Sequence, residues 1–188
     1  MAIVGARRAS PEGLKRARKL ARLLVSRGIV VVSGLAEGID TAAHRAAIEA
    51  GGHTIAVLGT GLDQVYPRSN RPLQDLIGKD HLLVTEFPEG QTTAKWNFPR
   101  RNRTMSLLSD ASVIIEAGDS SGSLSQGWEA IRLGRALFLA RSVVEDSSLT
   151  WPEQMLGYGA RVLADETLED LFACIPDRVP ESADAVPF

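Results

Sequence analysis

Three short loops combine glycine with cationic or hydroxyl residues in a way that suits phosphate binding. The first covers residues 5–10 and holds Arg7 and Arg8 just before a predicted helix start. It offers free helix N–H groups and two guanidinium forks to a phosphate. The alternative interpretation is a tight strand-to-helix turn with exposed arginines. The other two loops contain Ser33, Gly34, Ser121, Gly122 and Ser123.

The segment 95–103 interleaves cations with aromatic rings. Its four cations, two aromatic residues and two amides are Lys95, Arg100, Arg101, Arg103, Trp96, Phe98, Asn97 and Asn102. Cations neutralise phosphates and a ring stacks on an unpaired base, so this composition predicts a site for single-stranded nucleic acid. The alternative is that Trp96 and Phe98 pack in the core while the cations lie along a solvated helix start.

The remaining polar motifs do not indicate a cofactor or a metal. The Gly59-Thr60-Gly61 loop looks superficially like a dinucleotide loop, but it lacks a third glycine at the required spacing. The three histidines stand singly on different predicted elements, and the one cysteine, Cys174, cannot supply a metal cluster. We therefore expect neither a cofactor nor a metal.

Regularly spaced apolar runs predict the strands that position these loops. The runs cover residues 2–4, 29–33, 54–58, 82–86, 112–116 and 136–140. They are apolar throughout, as strands covered on both faces are, and helical patterns fill most of the gaps. The sequence therefore predicts an α/β fold with a mostly parallel sheet and helices on both faces. In such a sheet the ligand crevice lies beyond the carboxyl ends of the strands.

Helix signals fall between the predicted strands. The clearest helix begins after Ser10, which can cap it, has Pro11 at its first position and ends at Gly28. Four more helices are predicted at about 39–50, 70–77, 99–108 and 124–133. Beyond residue 141 the alternation weakens into a short strand at 161–163 and a helix at 166–174.

Length and charge bound the organisation of the chain. The 188 residues suffice for one well-cored domain, which we place at 1–175, with a core at 1–141 and an appendix at 142–175. We expect residues 176–188 to form a flexible tail. The net charge is only −2, yet residues 1–28 carry net +7 and residues 142–188 carry net −8. This dipolar layout suits a domain with one phosphate-binding face.

The sequence has no long apolar run that could span a membrane, and we therefore expect a cytoplasmic location.

Several phrases of the sequence resemble the DprA/Smf family of DNA-processing proteins. They occur in family order over about residues 3–141, and the longest is Ser33-Gly34-Leu35-Ala36-Glu37-Gly38-Ile39-Asp40-Thr41-Ala42-Ala43-His44. The others are Val4-Gly5-Ala6-Arg7, Ala56-Val57-Leu58-Gly59-Thr60-Gly61-Leu62-Asp63 with Tyr66-Pro67, Asn97-Phe98-Pro99-Arg100-Arg101-Asn102-Arg103, and Ser121-Gly122-Ser123-Leu124. The resemblance covers most of the predicted core.

The resemblance implies an extended Rossmann-like fold that binds single-stranded DNA as a homodimer and hands it to the RecA recombinase. It implies that Arg7, Lys95, Phe98 and the neighbouring arginines form the strand-binding pocket, with Phe98 as a base-stacking ring. The Ser33-Gly34 and Ser121-Gly122 loops would lie beside them and donate N–H groups to phosphate oxygens.

The sequence also departs from the family pattern and leaves two other functions open. Ala6 replaces the usual serine, and the phrase after Leu124 does not follow the family. A LOG-like nucleoside-monophosphate phosphoribohydrolase is one alternative, but Gln126 stands where its catalytic glutamate would be expected. A nucleotide sensor is the other. We favour a non-catalytic module that binds single-stranded DNA for DNA processing and recombination, as in natural transformation.

Overall fold

The computed structural model describes residues 1–176, which form one parallel sheet of seven strands. The strands are β1 (Ala2–Val4), β2 (Val31–Ser33), β3 (Thr54–Leu58), β4 (Leu82–Thr85), β5 (Ala111–Ile114), β6 (Ala136–Ala140) and β7 (Arg161–Leu163). Their order is β4-β3-β2-β1-β5-β6-β7, and every adjacent pair is parallel. The predicted Rossmann-like α/β fold is confirmed, and the tail expected from residue 177 onward lies outside the described residues.

Eight α-helices accompany the sheet in the described part of the chain. They are α1 (Pro11–Ser26), α2 (Ile39–Glu49), α3 (Arg71–Asp80), α4 (Asn97–Leu107), α5 (Ser123–Arg132), α6 (Arg141–Val144), α7 (Trp151–Gly157) and α8 (Leu168–Phe172). As predicted, the Ser10 side chain accepts the N–H of Gly13 and Pro11 opens α1. None of the helices within residues 1–176 has the length and apolar character that crossing a membrane requires.

The hydrophobic core lies in layers on the two faces of the sheet. Ile3 of β1 packs with α1 and α2 on one face, whereas Ala2 and Val4 pack with α4, α5 and α7 on the other. This alternation follows from the two-residue period of a strand. The strand β7 pairs with β6, so the C-terminal appendix extends the same sheet.

The strand order fixes where the chain can form a crevice. From β1 the chain first builds outward through β2, β3 and β4, and it then returns to place β5 on the other side of β1. The connections after β1 and β5 therefore leave the sheet in different directions. The gap between them, at the carboxyl ends of the strands, is the switch point at which open α/β sheets bind ligands.

Candidate nucleic-acid interface

A cleft of about 560 Å³ opens at this switch point. The loops after β1, β2 and β5 and the first turns of α4 and α5 surround it. Its lining includes most of the predicted phosphate-binding loops, namely Gly5, Ala6, Arg7, Arg8, Ala36, Asp40, Phe98, Arg101, Asn102, Ser121, Gly122, Ser123 and Gln126. The sheet thus brings residues from four separate stretches of sequence to one place.

The loop after β1 is held against its neighbours by close backbone contacts. The N–H of Ala6 donates to the carbonyl of Glu116 at 2.7 Å, and the N–H of Ile39 donates to the Ala6 carbonyl at 3.2 Å. Gly38 has φ +74°, and a Cβ atom there would lie 2.3 Å from the Ala6 oxygen. The start of α2 can therefore approach this loop only because residue 38 is glycine.

Arg7 and Arg8 leave this loop as exposed side chains beside two aromatic rings. The guanidinium carbon of Arg7 lies 5.9 Å from the ring centroids of both Tyr66 and Phe98. Those two rings are 5.2 Å apart, and a Cβ atom on Gly59 would lie 2.7 Å from the Phe98 ring. Phe98 is therefore fixed by packing on Gly59, and a cation sits close to both rings.

Arg101 is buried, in contrast to Arg7. The side chain is only 7% exposed, and its Nη1 atom donates to the carbonyls of Gly34 at 2.5 Å and Val57 at 2.7 Å. Its Nε atom donates to Asn102 at 3.0 Å. Arg101 therefore ties α4 to the ends of β2 and β3 while one edge of its guanidinium lines the cleft.

Asp40 supplies the opposite charge on the far side of the Gly34 peptide. Its carboxylate accepts the N–H of Gly34 at 3.1 Å and of Ala36 at 3.3 Å. Burial raises the pKa of the Asp40 carboxyl, and the nearby Arg101 charge opposes this shift. Burial likewise lowers the pKa of the Arg101 guanidinium, which Asp40 counteracts. The loop after β2 is thus clamped between two buried charges.

The other predicted cations of segment 95–103 do not line the cleft. Lys95 is exposed two residues before α4 begins. The Arg100 guanidinium contacts Glu86 at 3.0 Å, and that of Arg103 contacts Glu129 at 3.3 Å. These three side chains are not part of the cleft lining.

The predicted serine and glycine residues also differ in whether they line the cleft. Ser33 is fully buried and donates its hydroxyl to the Ile3 carbonyl at 2.6 Å, and the Gly34 N–H is taken by Asp40. By contrast, Ser121, Gly122 and Ser123 line the cleft at the N-terminus of α5, with the two serine Oγ atoms 2.7 Å apart. The loop after β5 therefore offers polar groups to a ligand, while the donors of the loop after β2 are used inside the protein.

Two residues in or beside the cleft had no predicted role in binding, namely Gln126 in its lining and Tyr66 in the small adjoining pocket. Tyr66 belongs to the loop after β3 and is 48% exposed beside Phe98. Gln126 is fully buried beneath the cleft, where its Nε2 atom donates to Ser106 at 2.9 Å and Ser112 at 3.1 Å. The tyrosine stands 32 positions before Phe98 in the sequence, and no local pattern links the two.

The fold and the cleft define a Rossmann-like domain whose ligand crevice carries cations beside aromatic rings. The chain belongs to the DprA/Smf family of DNA-processing proteins. The sequence model of the family described as DNA recombination-mediator protein A matches residues 1–175. The resemblance drawn from the sequence phrases is thereby confirmed.

Relatives with established names support this membership. The chain is 42% identical over 163 residues to DNA processing protein DprA of Streptococcus pneumoniae, covering 87% of this chain and 57% of the relative. It is 36% identical over 176 residues to the Bacillus subtilis protein of the same name, covering 94% and 59%. The chain therefore spans just over half the length of these relatives.

Solved structures agree with the fold. The DprA structure from S. pneumoniae matches with a TM-score of 0.81 at 41% identity, covering 92% of this chain and 60% of that one. DNA processing protein A from Helicobacter pylori, described as having a unique single-stranded DNA binding mode, matches with a TM-score of 0.79 at 30% identity, covering 92% and 79%. A molybdenum cofactor binding protein from Rippkaea orientalis, at 21% identity and a TM-score of 0.64, shares the fold alone.

Proposed function

We propose that this chain binds single-stranded DNA in the cleft at the switch point and acts in DNA processing and recombination. The observation that carries the proposal is the position of the Arg7 guanidinium, which lines the cleft and lies 5.9 Å from two ring centroids. One ring is Phe98 in the cleft lining, and the other is Tyr66 in a small pocket beside it that Arg7 and Phe98 also line. Arg7 would neutralise a phosphate while Phe98 or Tyr66 stacks on the adjoining base.

The charges around the opening favour a polyanion. Within residues 1–176, neither Arg7 nor Arg8 forms an ion pair with a carboxylate, so both charges are available to phosphates. The α5 N-terminus adds a partial positive charge through Ser121, Gly122 and Ser123. Duplex DNA hides its base faces by stacking, so a site that combines rings with cations favours a single strand.

The relatives support the same substrate class. The Helicobacter protein, for which a single-stranded DNA binding mode is described, matches over 92% of this chain. From the family we further propose that the chain works in the cytoplasm, forms a homodimer and delivers its strand to the RecA recombinase. Size measurement by light scattering and a RecA strand-exchange assay with added protein test the last two points.

The cleft chemistry supports binding rather than catalysis. Gln126, in the place where the phosphoribohydrolases use a glutamate, is uncharged and hydrogen-bonded to two serines. Glu129, one turn further along α5, pairs with Arg103 and Arg132 outside the cleft. Among residues 1–176, Asp40 is the one carboxylate that lines the cleft, and its Oδ2 atom already accepts two backbone N–H groups. No free general acid or base faces the cleft among these residues.

A binding comparison with three ligands tests the proposal and separates it from a nucleotide sensor. A fluorescently labelled twelve-nucleotide oligo-dT, the duplex of the same length and thymidine monophosphate are compared by anisotropy and competition at low salt. We expect the single strand to bind several-fold more tightly than the duplex and the monophosphate to compete weakly. Tight binding of the monophosphate with no binding of the oligonucleotide would instead support a nucleotide sensor, and release of free base would support the hydrolase.

A further inference from the structure

An exposed tryptophan stands just outside the cleft. Trp96 precedes α4, and its side chain is 55% exposed. Tryptophan is enriched at interfaces, where its large ring supplies contact area. The ring takes no part in the cleft lining, so the cleft by itself gives it no role.

A rigid support holds this tryptophan in place. Its ring meets Phe87 edge to face, with the centroids 6.1 Å apart and the planes at 70°. Phe87 is only 4% exposed, and its N–H donates to the Thr85 hydroxyl at 3.1 Å. The Arg100 guanidinium lies 5.8 Å from the Phe87 ring. Because its partner ring is buried, Trp96 can present its exposed surface to a ligand with little loss of conformational entropy.

The topology continues the cleft toward this ring. The cleft lies beyond β1 and β5, Phe98 packs over Gly59 just after β3, and Phe87 follows β4 at the sheet edge. With neighbouring strands about 4.8 Å apart, β1 and β4 are separated by about 14 Å along the carboxyl edge. A few stretched nucleotides cover that distance. Phe98 and Trp96 therefore lie in sequence along one edge of the sheet.

The charge beside Trp96 suits a phosphate backbone. Lys95 is exposed and forms no ion pair with any carboxylate in residues 1–176. Glu86, the acidic neighbour, is balanced by Arg100 and also accepts the Thr104 hydroxyl. A free cation next to an exposed ring is the combination that binds single strands without sequence preference.

We infer that Trp96, supported by Phe87 and flanked by Lys95, forms a second base-stacking position for the strand that enters the cleft. This inference rests on the proposed function and extends it from one nucleotide pocket to a track along the sheet edge. A strand too short to leave the cleft would not reach Trp96. A longer strand would place one base on the indole.

The dependence of binding on oligonucleotide length tests the inference. Affinities of two- and twelve-nucleotide oligo-dT are measured by anisotropy competition for wild type, Trp96→Ala and Trp96→Phe. We expect Trp96→Ala to weaken binding of the twelve-mer about fivefold or more and binding of the dinucleotide less than about twofold. We expect Trp96→Phe to retain most of the affinity, because a phenyl ring still stacks. The matched control is Tyr158→Ala, which removes a ring that is 70% exposed and packs on Trp128, outside the cleft lining.

Intrinsic fluorescence supplies a direct readout of the contact. Of the three tryptophans, Trp151 is buried and Trp128 half-buried, so stacking on Trp96 should account for most quenching by the twelve-mer. Trp96→Phe should lose that quenching while still binding. Equal affinities of Trp96→Ala and wild type, or equal weakening for both lengths, would overturn the inference. Failure of wild type to bind either oligonucleotide would overturn the proposed function and this inference with it.

Discussion

Replacing the buried Arg101 should destabilise the fold far more than replacing its exposed neighbour Arg100. Arg101 is 7% exposed and holds the carbonyls of Gly34 and Val57, whereas the Arg100 side chain is 54% exposed and pairs with Glu86. Both residues lie in α4, so the pair of alanine variants has the same intrinsic helix propensity change.

The magnitude follows from the groups that Arg101→Ala leaves behind. The Gly34 and Val57 carbonyls lose a charged donor, and the buried Asp40 carboxylate loses the cation that compensates it. Removing one partner of a buried charge pair costs about 3–5 kcal/mol. Water entering from the cleft can reach part of this space, so we expect the lower end, about 3 kcal/mol. At about 2–4 °C per kcal/mol this lowers Tm by roughly 6–12 °C. Arg100→Ala should cost less than about 1 kcal/mol.

Urea unfolding followed by circular dichroism measures both free energies of unfolding. A double-mutant cycle with Arg101→Met and Asp40→Asn isolates the coupling, because removing both charges leaves neither one uncompensated. We expect the double variant to be more stable than the sum of the single effects predicts, by about 1 kcal/mol or more. An Arg101→Ala variant as stable as Arg100→Ala, or strictly additive single effects, would refute the clamp described for the loop after β2.

Three further predictions concern pH, backbone space and salt. Burial lowers the pKa of His44 to about 3, so between pH 6.5 and pH 3 the unfolded chain takes up a proton on this histidine that the folded chain does not. The free energy of unfolding, measured with urea, should therefore fall by about 2 kcal/mol from pH 7 to pH 5 in the wild type. The His44→Leu variant should lack this contribution. Gly38→Ala should lower the free energy of unfolding, measured by thermal unfolding, by at least about 1–3 kcal/mol, because φ is +74° and the new Cβ meets the Ala6 carbonyl. The control is Gly157→Ala, whose Cβ meets nothing within 4 Å and should leave the stability unchanged. Arg7→Ala should reduce the slope of log Kd against log salt for oligo-dT by about 0.7, and a slope that does not change would argue against a phosphate contact.

The fold could be predicted because its signals are local. Continuously apolar runs identify strands covered on both faces, and Ser10 with Pro11 identifies the start of α1. The largest boundary error is the end of α3, which the sequence predicts at residue 77 and which lies at Asp80. Helix α4 begins at Asn97 and not at Pro99. Proline is tolerated at its third position because the first four N–H groups of a helix have no partner within it. The strand order could not be read from local patterns, because it depends on crossovers between distant segments.

The site could be predicted only as a set of segments. The sequence identifies three arginines in α4, but successive residues of a helix point about 100° apart. Arg101 therefore faces the sheet, while Arg100 and Arg103 reach acidic residues on other elements. The contact between Tyr66 and Phe98 joins loops that follow different strands, and a local pattern cannot reveal it.

The difference between the buried Arg101 and the exposed Arg7 decides which variants can test binding. A loss of affinity in Arg101→Ala would report the damaged clamp as well as any lost contact. Arg7 is exposed and forms no ion pair within residues 1–176, and Phe98 is partly buried and lines the cleft. Arg7→Ala and Phe98→Leu therefore remove ligand contacts at the least cost to the fold.

The affinity of the wild type and of these two variants for a labelled twelve-nucleotide oligo-dT tests the central claim most directly. Anisotropy at low salt gives Kd, thermal unfolding confirms that each variant is folded, and Arg103→Ala serves as a control outside the cleft. We predict that Arg7→Ala and Phe98→Leu each weaken binding about fivefold or more, while Arg103→Ala changes it less than about twofold. Folded variants that bind the strand as tightly as wild type would contradict the assignment of the cleft as the DNA site.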